Sequence, residues 1–242
     1  MMSQTADAID VVDVPTLLRF INYPDSDGKP MADNTKQYQY IITLQVGLDS
    51  QFADNPDVFV AGDLLWYPVE GRPDICAAPD VLVAFGRPKG HRGSYKQWAE
   101  GRVAPQVVFE ILSPSNTLRE MNQKRWFYER YGVQEYYEYD PDNGKLSLWE
   151  RTGEVLQPVE FNGVWRSPRL GITLKLDADG ELLAYHPDGR LFLRPMELDR
   201  LAQAAQARAE QEKARAEQEK ARAELFANKL RELGIDPASL GD

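Results

Sequence analysis

The sequence predicts an α/β protein: a mixed β-sheet core flanked by helices, followed by a long C-terminal helix. Three observations predict it. Two apolar runs, 81–85 and 107–112, have the length of buried strands. Between the second run and a further strand at 135–140 lies a helical pattern at 117–131, and a strand, helix, strand unit of this length implies a parallel pair with a right-handed crossover. From residue 197 the composition changes, with no glycine or proline up to residue 233 and Arg-Ala-Glu-Gln-Glu-Lys-Ala at 208–214 and again at 215–221.

In chain order, residues 1–34 read as an extended arm, with Tyr23-Pro24-Asp25-Ser26-Asp27-Gly28 as a turn signal. Asn34 caps a helix at 35–52 whose expected buried side is Tyr38, Ile41, Ile42, Gln45 and Leu48. Gly62-Asp63 separates two short apolar runs, which read as strands or one bent strand. Pro79-Asp80 opens the next strand. Thr117-Leu118-Arg119-Glu120 resembles a capping box, and Gly132 stops that helix. Residues 141–144 turn the chain back into 145–150. Runs at 155–156, 171–176, 181–185 and 190–193, broken by Asp-Gly turns, predict hairpins that extend or cover the sheet. Asp177-Ala178-Asp179-Gly180 lacks the remaining spacings of a calcium loop and reads as a turn. The repeated residues of 197–233 are alanines, which bury little area, so a weak self-association helix and a solvated arm both stay open. The expected organisation is an arm (1–34), a core domain (35–196), a charged heptad-like helix (197–233) and a tail (234–242).

Composition restricts the function. The chain has 242 residues and a formal net charge of −10, opposite to the basic footprint of proteins that grip nucleic acid by its phosphates. Most of that excess lies before residue 197. A single cysteine, Cys76, excludes an intramolecular disulfide and reads as a small buried hydrophobe. The first residues lack the pattern of a secretory signal, and no apolar run has membrane-spanning length, so a cytoplasmic protein without membrane contact is expected.

The chemistry centres on Glu110. It interrupts an apolar strand, where an unpaired charge is expensive, so a metal ion, a lysine or an arginine should compensate it. Strand alternation puts Val108, Glu110 and Leu112 on one face and Val107, Phe109 and Ile111 on the other. Helical steps of three and four put Thr117, Met121, Lys124, Tyr128 and Tyr131 on one stripe, so Lys124 should face the sheet. Asp80 is a second acid, at the mouth of the neighbouring apolar run. Asp63 reads either as a turn residue or as a supporting acid behind the site. A Glu–Lys pair of this kind also serves as a purely structural buried ion pair, and Pro-Asp is a common turn opening. The loop at 86–98 carries Arg87, Lys89, Arg92 and Lys96 with Tyr95 and Trp98 among them, which suits either phosphate and base contacts or a solvated connection. His91 is a weak candidate, and His186 reads as a turn residue.

Pro79-Asp80, Glu110, Ser113-Pro114-Ser115, Lys124, Tyr128-x-x-Tyr131-Gly132-Val133-x-Glu135-Tyr136 and Asp140-Pro141 together resemble the Uma2 family of restriction-endonuclease-like proteins (DUF820). That family belongs to the PD-(D/E)XK nuclease superfamily, and the resemblance runs from about Val58 to Asp140. It implies a restriction-endonuclease-like fold and a Mg2+- or Mn2+-dependent endonuclease. Asp80, Glu110 and the backbone carbonyl of Ile111 would hold metal, and Lys124 would orient the attacking water or stabilise transition-state charge. Where the superfamily motif places a lysine two residues after the glutamate, this chain has Leu112; Lys124 matches the family's lysine on the helix. DNA is the implied substrate, with RNA open, and a homo-oligomer through the sheet domain or the C-terminal helix is a further expectation. The alternatives are a catalytically silent nuclease-like scaffold that assembles through its C-terminal helix, and a phosphatase or nucleotidase using the same metal.

Overall fold

The computed structural model describes residues 18 and 21–232 and divides into two units, Met1–Leu193 and Arg194–Asp242. Most of the arm expected before Ile21, and the tail at 234–242, lie outside the described residues. In the first unit Asn34 caps helix α1 (Thr35–Gln51), its side-chain oxygen accepting from the Gln37 amide. Strands β1 (Val58–Gly62), β2 (Trp66–Tyr67), β3 (Val81–Phe85), β4 (Tyr95–Lys96) and β5 (Val107–Ile111) follow. Then come helix α2 (Leu118–Tyr131) and strands β6 (Glu135–Asp140), β7 (Lys145–Thr152), β8 (Val155–Val159), β9 (Val164–Arg166), β10 (Thr173–Leu176) and β11 (Leu182–Tyr185).

The main sheet has six strands in the order β1-β3-β5-β6-β7-β8, antiparallel except for the parallel β5–β6 pair that α2 connects. Short turns join only the antiparallel pairs β6–β7 and β7–β8; β1–β3 and β3–β5 are antiparallel across longer connections that contain β2 and β4, and the helix-length crossover gives the parallel pair. A three-stranded sheet, β11-β10-β9, and a short parallel β2–β4 pair complete the unit.

Alternation along β5 divides the interior. Val107, Phe109 and Ile111 join Ile41, Leu44 and Leu48 of α1 and Leu174 of β10 in one core. Val108 faces the other way, into a core with Trp66, Tyr95, Tyr128 and Tyr136. Glu110 shares the alternation of Val108 and therefore points towards α2. On that side the Trp66 and Tyr128 rings stack with an interplanar angle of 4°.

Three local expectations are corrected. The buried stripe of α1 is Gln37, Tyr40, Ile41, Leu44, Gly47 and Leu48, while Tyr38 is exposed and Ile42 and Gln45 are only half-buried. The helix is turned because Gln37 reaches the Ile111 carbonyl and the Tyr40 ring packs on Tyr139. Periodicity undervalues such polar anchors. The 190–193 run forms only an isolated bridge, Leu191 to Tyr185. Cys76 is exposed, although the neighbouring Ala77 forms an isolated bridge with Trp66 of β2.

Turns hold the two sheets together. The Tyr139 hydroxyl donates to the Gly180 carbonyl and accepts from the Leu182 amide. Asp177 Oδ1 accepts from the amides of Asp179 and Glu181, so this acid is used up by its own turn. Gly144 and Gly180, both at positive φ, approach so closely that a Cβ on either would lie 2.8 Å from the other's Cα.

The second unit contains α3 (Pro195–Glu232), a 38-residue helix with no buried residue. At 1.5 Å per residue it is about 57 Å long. Side-chain pairs one turn apart line it, Arg215 with Glu219 at 3.1 Å and Gln206 with Glu210 at 3.1 Å. Exposed pairs of this kind each add only about 0.2–0.5 kcal/mol, so α3 draws on many small contributions instead of a core. Among the described residues no helix is long and apolar enough to cross a membrane.

Gly144→Ala and Gly180→Ala are each expected to destabilise the first unit by about 1–3 kcal/mol, through unfavourable φ and the backbone clash together. Urea denaturation checks this. A loss below about 0.5 kcal/mol in both variants means the two turns are not in the contact described.

Candidate active site

The site forms where β3 and β5 lie side by side and α2 crosses above them. Asp80 immediately precedes β3, and Val81 is the register partner of Phe109. This places Asp80 beside the end of β5, where its Oδ2 accepts from the Ile111 amide at 2.6 Å. The N-cap of α2 is Thr117, whose hydroxyl accepts from the Glu120 amide, and Gly132 ends the helix with φ 104°. One turn inside the helix C-terminus, Tyr128 reaches down to Glu110; one turn earlier Lys124 does the same.

Glu110 is thus held from both oxygens. Lys124 Nζ donates to Oε2 at 2.7 Å, and the Tyr128 hydroxyl donates to Oε1. The carboxylate is 2% exposed. An ion buried without a partner costs several kcal/mol, more than the roughly 1.5–3 kcal/mol that burial of one large apolar neighbour returns, so the two donors are a condition of folding Glu110 inside. The sequence puts Tyr128 on the sheet-facing stripe of Lys124 and in the family motif, but does not mark it as a donor to Glu110. Its i, i+4 spacing from Lys124 was the available signal for a second donor to the same group.

A cavity of about 470 Å3 opens beside the pair, lined by Asp63, Asp80, Lys124, Glu120, Asp33 and Gln37 among others. Asp80 and Lys124 face it, and Glu110 sits behind them. Burial first, and then the Glu110 charge, push the Asp80 carboxyl well above its ordinary range, with Lys124 only partly offsetting. Burial works against the Lys124 ammonium, but Glu110 and then Asp80 outweigh it and its pKa is raised. Asp63 occupies a left-handed turn at φ 47° and donates its amide to the Asp80 carbonyl at 3.2 Å. It is therefore both a turn residue and a cavity acid, its pKa raised by burial and by Asp27. On the rim, Asp33 accepts from the hydroxyls of Ser113 and Ser115, which hold its pKa low.

The donors present suit a hard divalent cation. Two carboxylates carry one charge more than Lys124 compensates, and all are oxygen donors. The Ile111 carbonyl accepts from Gln37 Nε2 at 2.8 Å, which leaves it one lone pair. Among the described residues no three His, Cys, Asp or Glu side chains are grouped to hold a metal. The shell would therefore need the carbonyl and water, the usual manner of holding Mg2+.

The structure does not bring the basic loop to this cavity. Arg92 is tied to Glu100 at 2.6 Å and lies over the Phe59 ring; Lys89 pairs with Asp49 at 2.7 Å; Lys96 lies over the Tyr23 ring. Arg87 bonds the neighbouring Gly86 carbonyl. None of the four lines the cavity, because the loop leaves β3 at Phe85, the strand end opposite to Asp80. Cys76 lies on the cavity rim, its thiol pushed up by partial burial. His186 accepts or donates to Gln51 at 2.8 Å and packs on Phe192, away from the site.

An acid whose folded pKa lies above its unfolded value withdraws stability as pH rises from the unfolded value towards the folded one. Asp80→Asn, which keeps an oxygen for the Ile111 amide, is thus expected to raise the melting temperature at neutral pH in EDTA. The advantage should vanish as pH falls towards the ordinary value of 3.8. Thermal melts across pH check it, and a pH-independent difference contradicts it. Tyr128→Phe, which strands one buried carboxylate oxygen, is expected to cost about 1–3 kcal/mol.

A model of the Uma2 family, described as "Putative restriction endonuclease", matches residues 28–179. No curated protein matches the chain. A solved structure described as a "putative nuclease belonging to DUF820" from Anabaena variabilis ATCC 29413 is similar at 15% identity and a TM-score of 0.45, covering 59% of this chain and 77% of that one. The family match takes in Asp80, Glu110, Lys124 and Tyr128 and more than half of the sequence, and on that ground the chain belongs to the Uma2 family.

Proposed function

We propose that this chain is a cytoplasmic, Mg2+- or Mn2+-dependent endonuclease that hydrolyses phosphodiester bonds of DNA. The observation that carries the reading is the Lys124 to Glu110 contact at 2.7 Å beside Asp80, on one solvent-reached cavity. Asp80, Glu110 and the Ile111 carbonyl would hold the metal, which when bound lowers the pKa of a coordinated water and neutralises charge on the transferred phosphorus centre. Tyr128 fixes the rotamer of Glu110, so that the carboxylate presents the same lone pairs at each turnover. Asp80 is oriented by the Ile111 amide. Lys124, held charged by its acidic neighbours, supplies a donor that can turn from Glu110 towards a phosphate oxygen or the attacking water. No covalent intermediate is required.

Incubation of plasmid and linear DNA with the protein in Mg2+, in Mn2+ and in EDTA tests the proposal. Cleavage is expected only with metal, and Glu110→Gln, Lys124→Met and Asp80→Asn are each expected to slow it by about a hundredfold or more. Metal-independent cleavage, or full activity in all three variants, overturns it.

A second reading, a catalytically silent scaffold that assembles through α3, draws on the exposed Leu198, Leu201, Leu225 and Phe226 of that helix. Sedimentation of the full chain beside a form ending at Leu193 separates the two: a mass change without DNA cleavage favours the scaffold.

A further inference from the structure

Helix α2 has two working faces. Glu120 and Lys124 line the cavity and Tyr128 is buried beneath them. On the outward side Arg119, Gln123, Trp126 and Arg130, at steps of four, three and four, form an exposed stripe. Trp126 is 63% exposed, although an indole is among the costliest side chains to leave in water. Among the described residues neither Arg119 nor Arg130 has an ion-pair partner; the Arg130 guanidinium only overhangs the Tyr131 ring at 5.8 Å. The loop cations Lys89 and Arg92, by contrast, are already neutralised by Asp49 and Glu100.

We infer that this outward stripe of α2 is the surface on which a DNA strand docks for the cavity, Arg119 and Arg130 taking phosphates and Trp126 a base or sugar face. The inference rests on the nuclease reading for why DNA should be there, but it concerns binding alone. In a chain of net charge −10, a stripe of unpaired guanidiniums beside an exposed indole is complementary to a polyanion carrying aromatic faces. The two arginines lie about 16 Å apart along the helix axis, the length over which one duplex strand presents roughly five phosphates. Because the stripe and Lys124 belong to one rigid helix, a strand held outside is kept at a fixed offset from the cavity. Guanidinium is suited to the task, since it bonds phosphate through two parallel N–H groups.

The test uses the full chain and fluorescein-labelled DNA, single-stranded and duplex, followed by anisotropy in EDTA over a salt series. Arg119→Gln combined with Arg130→Gln is expected to weaken binding roughly tenfold or more and to reduce the salt slope by about two. Trp126→Ala is expected to weaken single-strand binding more than duplex binding. Lys89→Gln should bind as wild type, and Glu110→Gln should bind while failing to cleave. Stripe variants that bind as wild type overturn the inference even where Glu110→Gln abolishes cleavage. Stripe-dependent binding by a wild type that cleaves nothing upholds the inference and removes the catalytic reading instead. If Trp126→Ala lowers the mass in solution and leaves DNA binding intact, the stripe joins copies of the chain, and the inference is wrong.

Discussion

The buried carboxylate of Glu110, shared between an ammonium and a phenol, is the constraint on which the rest of this molecule depends. A charge in the middle of a sheet cannot be left alone, and this one is almost fully buried. Its compensation must come from whichever element covers that face. Helix α2 does so with two donors one turn apart, and in meeting that demand it fixes its own rotation about its axis. Trp66, stacked on Tyr128, and Met121, buried at the start of the helix, then pack around the orientation that the ion pair has set.

The rotation of α2 decides the remaining chemistry. With Tyr128 and Lys124 turned to the sheet, Glu120 comes to the cavity rim and Arg119, Trp126 and Arg130 are turned outward. Asp80 reaches the same place by another route, through the β3–β5 register and the Ile111 amide. The result is an excess of buried acid over base next to solvent. Such an imbalance is unfavourable as a permanent feature of a core, whereas a site that receives a cation is served by it. The α1 side contributes as well: Gln37, drawn out of the expected helical stripe, supports the Ile111 carbonyl from the opposite face of the sheet.

The acidity of the chain has a physical counterpart here. General attraction for polyanions is weak when net charge is negative, so any grip on a phosphate backbone would have to come from a few cations left unpaired at a chosen place. Local pairing matters more than loop composition. The 86–98 loop is rich in cations and yet spends Arg92 on Glu100 and Lys89 on Asp49, holding the loop to the body of the protein.

Strand and helix periodicity, the Asn34 and Thr117 caps and the Gly132 stop are local properties, readable because they depend on residues a few positions apart. The mixed sheet, its parallel β5–β6 pair and the sheet-facing side of α2 follow from that pattern, as does the need of Glu110 for a partner. Other features required coordinates, because they depend on side chains distant in sequence. The second donor from Tyr128, the Gln37 bond to Ile111, the outward position of Cys76 and the neutralised loop cations are of this kind. Periodicity ranks a tyrosine or glutamine as apolar or polar, but only the packed structure determines whether a lone pair waits at the end of it.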